Sequence, residues 1–243
     1  MQALRLRATD KLSRRSFGFA ATPGRLACFA ALILTGCAES SPSDAPAPSN
    51  NFAPAPSVAR DKLPKAEPLP DTVRVRLETG AGPILLELDA KRAPITTANF
   101  VRYVDERRLD GTSFYRAAPT KGAPGRGFIQ GGIRRNYRLM LPPITHEPTS
   151  KTGLRHEAGT ISMARSEEGA GAMGEFFILT SAMPSMDAKG GKPGYAAFGR
   201  VVEGMDTVRA ILSSPATANA GRGAMRGQML TDPVRIVSAR RLS

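Results

Sequence analysis

From Asp71 onward, apolar and polar residues alternate along the chain. Val73, Val75 and Leu77 interleave with Arg74, Arg76 and Glu78, which is the period-two pattern of a strand with one buried face. Thr79-Gly80-Ala81-Gly82 marks a turn, and the alternation resumes at Ile84, Leu86 and Leu88, so the two runs predict a hairpin. Pro94 suits the first turn of a helix. Phe100 and Val104 lie one turn apart and give a helix over 94–105 an apolar face. Further short strands are predicted around 113–116, 128–131, 159–164, 176–180 and 195–202. Met205, Val208 and Leu212 mark a second helix, and Val234, Ile236 and Ser238 alternate within a last strand over 231–241. Many short strands with two helices in about 170 residues fit a mainly β fold, an antiparallel barrel or sandwich.

The pattern before Asp71 is different. Residues 38–70 are rich in Ala, Pro and Ser, as in Ser41-Pro42-Ser43-Asp44-Ala45-Pro46-Ala47-Pro48-Ser49. Such a segment buries too little apolar surface to offset chain entropy, and its prolines keep it extended. It reads as a spacer. Ahead of it, Arg5, Arg7, Lys11, Arg14, Arg15 and Arg25 precede an apolar run from Leu26 to Leu34. Nine residues are too few for a membrane-spanning helix, which needs about 20, and a basic start with a short apolar run is a secretory signal pattern. The run ends in Leu34-Thr35-Gly36-Cys37, which resembles the bacterial lipobox. The resemblance implies a signal peptide over 1–36, lipidation of Cys37 as the mature N-terminus, a tether over 37–70 and one folded domain over 71–243. Ser13-Arg14-Arg15-Ser16-Phe17 also resembles a twin-arginine signal, but general export is favoured. Ala38 after the cysteine leans towards an outer-membrane anchor on the periplasmic face.

Charge changes in meaning once that leader is set aside. The chain carries 34 Lys+Arg against 21 Asp+Glu, a formal +13. Cleavage before Cys37 removes six basic residues and one acid, leaving 28 against 20. The remaining excess is dispersed, which argues against specific nucleic-acid binding. Gly221-Arg222-Gly223-Ala224-Met225-Arg226-Gly227 resembles a short RGG-like tract but reads more simply as a loop before the last strand. Of the two cysteines, Cys28 leaves with the leader and Cys37 takes the lipid, so thiolate and disulfide chemistry are excluded from the domain. His146 and His156 stand ten apart with no third ligand near, so they read as solvated loop residues, and no metal or cofactor is expected.

Six stretches then stand in an order similar to that of the cyclophilin family of peptidyl-prolyl cis/trans isomerases. They are Ala93-Pro94-Ile95-Thr96-Thr97-Ala98-Asn99-Phe100, Asp110-Gly111-Thr112-Ser113-Phe114-Tyr115-Arg116 and Phe128-Ile129-Gln130-Gly131-Gly132, followed by Gly159-Thr160-Ile161-Ser162-Met163-Ala164-Arg165, Glu175-Phe176-Phe177-Ile178 and Phe198-Gly199-Arg200-Val201-Val202-Glu203-Gly204-Met205. The resemblance covers about residues 72–241 and implies a closed eight-stranded antiparallel barrel capped by two α-helices.

The chemistry of that family sets the residue types. An X–Pro amide rotates over a barrier of about 18–20 kcal/mol, because resonance ties the nitrogen to the carbonyl. As the bond twists, the nitrogen gains a lone pair. A donor aimed there stabilises the twisted state and not the planar one, with no covalent step. By resemblance Arg116 is that donor, an always-charged side chain of fixed geometry. Phe177 would floor the proline pocket beside Phe128, Met163 and Met186. Gln130 would bond the substrate backbone, Ala164 and Arg165 would line the peptide-facing strand, and Tyr195 would stand at the rim.

The chain departs from the family pattern in four places. The link Ala117–Gly127 is long and rich in Gly and Pro. Gly127 replaces an apolar residue, with Phe128 as its substitute. The family's glutamine before Phe-Phe is Glu175, counted among the substrate-binding residues, with Arg116 or Arg165 as its expected ion-pair partner. Ser185 stands near the position of the rim tryptophan. The expected function is isomerisation of X–Pro bonds in extracytoplasmic proteins by a monomer whose partners are proline-containing polypeptides and, through its lipid, a membrane. The alternative is a lipid-anchored peptide-binding chaperone module with weak or no turnover.

Overall fold

The computed structural model describes residues 68–134, 136–165 and 171–242. The expected signal peptide, Cys37 and the tether up to residue 67 lie outside the described residues. Strands β1 (Thr72–Thr79) and β2 (Gly82–Asp89) form the expected hairpin, paired from Thr72↔Asp89 to Thr79↔Gly82. Helix α1 (Pro94–Asp105) follows, then β3 (Ser113–Pro119) and β4 (Gly127–Gly132). A four-residue helical turn α2 (Thr149–Thr152) precedes β5 (Thr160–Met163) and β6 (Glu175–Leu179). The chain ends with β7 (Ala196–Glu203), helix α3 (Met205–Leu212), the short β8 (Ala216–Thr217) and β9 (Met229–Leu242). Strand order is β1-β2-β7-β5-β6-β4-β3-β9, and β1 pairs with β9, so eight antiparallel strands close a barrel while β8 adds to β9. The two expected helices are α1 and α3; the α2 turn is additional.

Alternation explains the core. Val73, Val75, Leu77, Ile84, Leu86 and Leu88 all turn inward and are buried, while Thr72, Arg74 and Arg76 of β1 face solvent. Phe100 of α1 enters the barrel and meets the rings of Phe176 and Phe198, each at 5.3 Å between centroids, and Phe114 packs edge-on against Phe176 at 5.6 Å. These aromatics couple α1, β3, β6 and β7 and hold β6 in place.

Helix α1 has Pro94 in its first turn and no cap from its own neighbours. Its free N–H groups are satisfied from a distance. The buried Glu147 carboxylate accepts from Ile95 N at 3.2 Å, Thr96 N at 2.7 Å and Thr96 Oγ1 at 2.7 Å. A negative charge at the positive end of a helix is favourable as well as geometrically apt. This contact binds the 141–148 loop to the barrel and so steadies the chain leading into β5.

One irregularity decides where the site lies. In β3, Phe114 pairs with Gly131 and Arg116 with Gln130, so Tyr115 is an extra residue against β4. This is a β-bulge. Strict alternation would place Phe114 and Arg116 on the same face. The bulge shifts the phase, so Phe114 stays fully buried in the core while Arg116 is half-buried on the other face.

Candidate active site

A row of four residues crosses four neighbouring strands on the outer face of the barrel. Arg116 of β3 pairs with Gln130 of β4, Gln130 with Phe177 of β6, and Phe177 with Ser162 of β5. The row thus runs from a fixed cation past a buried aromatic ring to Ser162.

The guanidinium is held on two edges. Gln130 Oε1 accepts from Arg116 Nη1 at 2.8 Å, and Gln228 Oε1 accepts from both Nε at 2.9 Å and Nη2 at 2.7 Å. Its carbon lies 5.0 Å from the centroid of the Phe128 ring, a cation–π arrangement. Arginine carries five N–H donors, so among the described residues these three bonds leave one N–H on each Nη for a substrate. Burial pulls the Arg116 guanidinium below its ordinary value, yet arginine stays charged under such shifts.

Gln130 is oriented in turn by its other end. Gln130 Nε2 donates to the Tyr115 hydroxyl at 2.8 Å, and that hydroxyl donates to Glu175 Oε2 at 2.6 Å. A carboxylate only accepts, so Tyr115 must spend its one proton on Glu175 and receive from the amide. The amide oxygen is thereby turned to Arg116. Burial, then the neighbouring Glu175 charge, push the Tyr115 phenol far above its ordinary value, so it remains a donor. Arg116 donates to Gln130 and Gln228, and Glu175 reaches it through Tyr115 and Gln130, so of the two arginines expected as partners of Glu175, Arg116 is not in direct contact with it.

The apolar half of the site is built around Phe177, which is buried. Phe128 lies 5.4 Å away, Tyr195 stands edge-on at 5.3 Å, and the His156 ring stacks behind at 6.1 Å with planes 13° apart. Arg165 sits over the Tyr195 ring at 5.0 Å. Ala164 and Arg165 follow β5 directly, and Ala164 N donates to Glu175 O at 2.8 Å. Met186 closes a short turn over Pro184–Met186, and its carbonyl accepts from Tyr195 N at 2.9 Å. Gly127 buries its backbone where β4 begins, at φ +147°, and a Cβ there would fall 2.3 Å from Ala118 O. Only glycine fits, and Phe128 at the next position supplies the ring. Part of the long link is strand, since pairing continues to Pro119↔Gly127 and leaves 120–126 as the loop.

Arg116, Gln130, Phe128, Phe177, Glu175 and Tyr195 therefore come together, with Ala164, Arg165 and Met186 on the adjoining chain. Met163 does not join them. It pairs with Phe176, is fully buried in the core cluster, and points opposite to Ser162 by strand alternation. His156 also departs from expectation. It is buried, with Nδ1 2.6 Å from Asp187 Oδ1 and Nε2 3.0 Å from Ser162 Oγ. A neutral ring satisfies both, donating from Nδ1 and accepting from Ser162, and burial lowers its pKa although Asp187 works against that. His146 is half-buried, with Nε2 3.0 Å from Pro193 O. Gln228, Tyr115 and the His156 support were not visible as site residues. Tyr115 beside Arg116 was the one readable hint; Gln228 lies 112 positions from its partner.

Comparison with known proteins agrees with this geometry. Residues 74–241 match the family model for cyclophilin type peptidyl-prolyl cis-trans isomerase/CLD. The chain is 38% identical over 150 residues to peptidyl-prolyl cis-trans isomerase A of Dickeya dadantii, covering 62% of this chain and 76% of that one. It is 34% identical over 164 residues to a peptidyl-prolyl cis-trans isomerase of Acinetobacter baylyi, covering 68% and 82%. In fold it is similar to a Cryptosporidium parvum cyclophilin type peptidyl-prolyl cis-trans isomerase crystallised in the presence of the dipeptide Ala-Pro, at a TM-score of 0.55 and 20% identity over 70% of this chain and 99% of that one. A closed eight-stranded barrel, an outward Arg–Gln–Phe row and a family match over 74–241 lead to one assignment: the chain belongs to the cyclophilin-type peptidyl-prolyl cis/trans isomerases.

Proposed function

We propose that this isomerase accelerates X–Pro rotation in proteins outside the cytoplasm, with Arg116 as the donor to the twisting imide nitrogen. The observation that carries the reading is the clamped guanidinium, which keeps an N–H on each Nη beside the apolar group of Phe128, Phe177 and Tyr195. A proline ring seated on Phe177 would bring its nitrogen towards Arg116, because the two residues are separated only by Gln130 in the row. In the planar amide that nitrogen has no lone pair to offer. In the twisted amide it does, so the bond is made only as the barrier is climbed, and partial burial strengthens it. No proton is transferred. Among the described residues the second N–H of Gln130 Nε2 has no partner, so it would hold a substrate carbonyl while the first stays on Tyr115.

The extracytoplasmic placement is supported by the basic leader, the short apolar run and Leu34-Thr35-Gly36-Cys37. A lipid on Cys37 and an extended 38–70 tether would let the barrel work within a reach on the order of 100 Å of the membrane. Lipid labelling that is lost in Cys37→Ser tests the anchor, and unchanged labelling rejects it. A protease-coupled assay on proline peptides tests the chemistry. Arg116→Ala should lower kcat/KM by about 100-fold or more. Unchanged activity would remove Arg116 from the mechanism, and peptide binding without any rate gain in the wild-type chain would favour the binding module.

A further inference from the structure

The excursion between β8 and β9 supplies the active site with a residue that lies outside all six family-like stretches. Gln228 stands immediately before β9, and its side-chain oxygen takes two of the three hydrogen bonds made by the Arg116 guanidinium. We propose that Gln228 is a positioning residue for Arg116, presented by the glycine-rich 221–227 segment as a rigid frame. The proposal rests on the reading of Arg116 as the donor.

Three observations carry it. First, Gln228 is tied to the strand that bears its partner. Ala117 N, on the residue after Arg116, donates to Gln228 O at 2.9 Å, and Arg116 itself pairs with Met229. Backbone and side chain of Gln228 therefore hold successive residues of β3, Ala117 and Arg116. Secondly, the frame is internally bonded. Gly227 N donates to Ala220 O at 2.8 Å, Gln228 N to Met225 O at 3.1 Å and Arg226 N to Gly223 O at 3.1 Å. The β8–β9 pairs Ala216↔Leu230 and Thr217↔Met229 close its base. Gly221 has φ +88°, and a Cβ there would sit 2.5 Å from Met225 O, so this glycine is required by a close approach. The RGG-like composition is thus accounted for by turn geometry.

Thirdly, the bond pattern fixes direction. One oxygen bridging Nε and Nη2 locks the guanidinium plane along one edge, while Gln130 on Nη1 fixes the other. Without Gln228 the group keeps a single amide contact, and the planar guanidinium can swing as a unit about Cδ–Nε. Its free N–H groups would then sample directions that miss a nitrogen lone pair, and small misplacements of a catalytic group are costly in rate.

The test uses the full chain. Gln228→Ala should lower kcat about ten- to a hundredfold with KM little changed, and Gln228→Glu, which restores an acceptor, should recover most of the loss. Gln228→Met keeps the volume without the acceptor and serves if the alanine variant does not fold. On an Arg116→Lys background, Gln228→Ala should cost nothing further, because an ammonium has no fork to align. If it costs the same factor there, Gln228 acts through loop folding and the proposal is overturned. The Arg116 Nε–H resonance in 15N spectra should be protected in the wild-type chain and lost in Gln228→Met; an unchanged signal with unchanged kcat also overturns it. Full activity in Arg116→Lys would instead refute the donor reading, leaving the resonance to judge the clamp alone.

Discussion

Neighbouring residues Phe176 and Phe177 should separate stability from binding. They occupy successive positions of β6 and point to opposite faces. Phe176 is fully enclosed and meets Phe100 and Phe114 in the core. Phe177 is flanked by Phe128 and Tyr195, both half-buried at the site. Phe176→Ala leaves a closed apolar cavity that nothing can refill. Substitutions of that kind cost about 3–5 kcal/mol, and at about 2–4 °C per kcal/mol for a domain of this size the melting temperature should fall by about 10 °C. Phe177→Ala opens a cavity to solvent and rim side chains, so its stability cost should be clearly smaller. Its functional cost should be larger. A proline ring that loses roughly 100 Å² of apolar cover forfeits about 2.5 kcal/mol at about 25 cal/mol per Å², or about 60-fold in kcat/KM. That interaction is present in ground and transition states alike, so KM should carry the loss. Thermal unfolding and steady-state kinetics on both variants are the assay. Equal destabilisation with equal kinetic damage would refute the two-faced reading of β6, and normal KM in Phe177→Ala would refute the pocket.

Tyr115→Phe removes the link between Glu175 and Gln130 and frees the amide to turn; kcat should fall by about tenfold with a stability loss of about 1–3 kcal/mol, and wild-type kinetics would show that Glu175 does not act through Gln130. Burial holds His156 below its ordinary value of 6.5, so the unfolded chain binds the extra proton first and stability should fall as pH drops through about 6.5. The paired carboxylates Glu87, Glu106 and Asp110 are held low by arginine partners and should give up their share only further down, below 4.5 and 3.8. Melting temperature against pH in wild type and His156→Gln separates the windows; an identical slope near neutrality in both would exclude His156 as its source.

The strands and both long helices follow from periodicity because each buries one face, and the hairpin of β1 and β2 is fully encoded in its alternation. Arg116, Gln130 and Phe177 were readable because they sit in local stretches. What escaped depends on contacts made across the chain. Simple alternation cannot reveal that Tyr115 is a bulge, although the bulge is what turns Arg116 outward. Met163 follows Ser162 in one stretch, and nothing in composition says which of the two faces the core. His156 looked solvated because Asp187 and Ser162 reach it from separate elements. Glu147 caps α1 from 51 positions away. Gln228 was hidden in a glycine-rich tract whose composition suggested only a loop.

The central claim is that Arg116 acts on the twisted amide and not on the bound peptide. Exchange spectroscopy on a proline peptide saturating the full chain measures cis/trans interconversion on the enzyme directly. With Arg116→Lys, the peptide should bind with nearly unchanged affinity while interconversion slows by about 100-fold. Interconversion at the wild-type rate in that variant, or a slowing explained wholly by lost affinity, would contradict the claim.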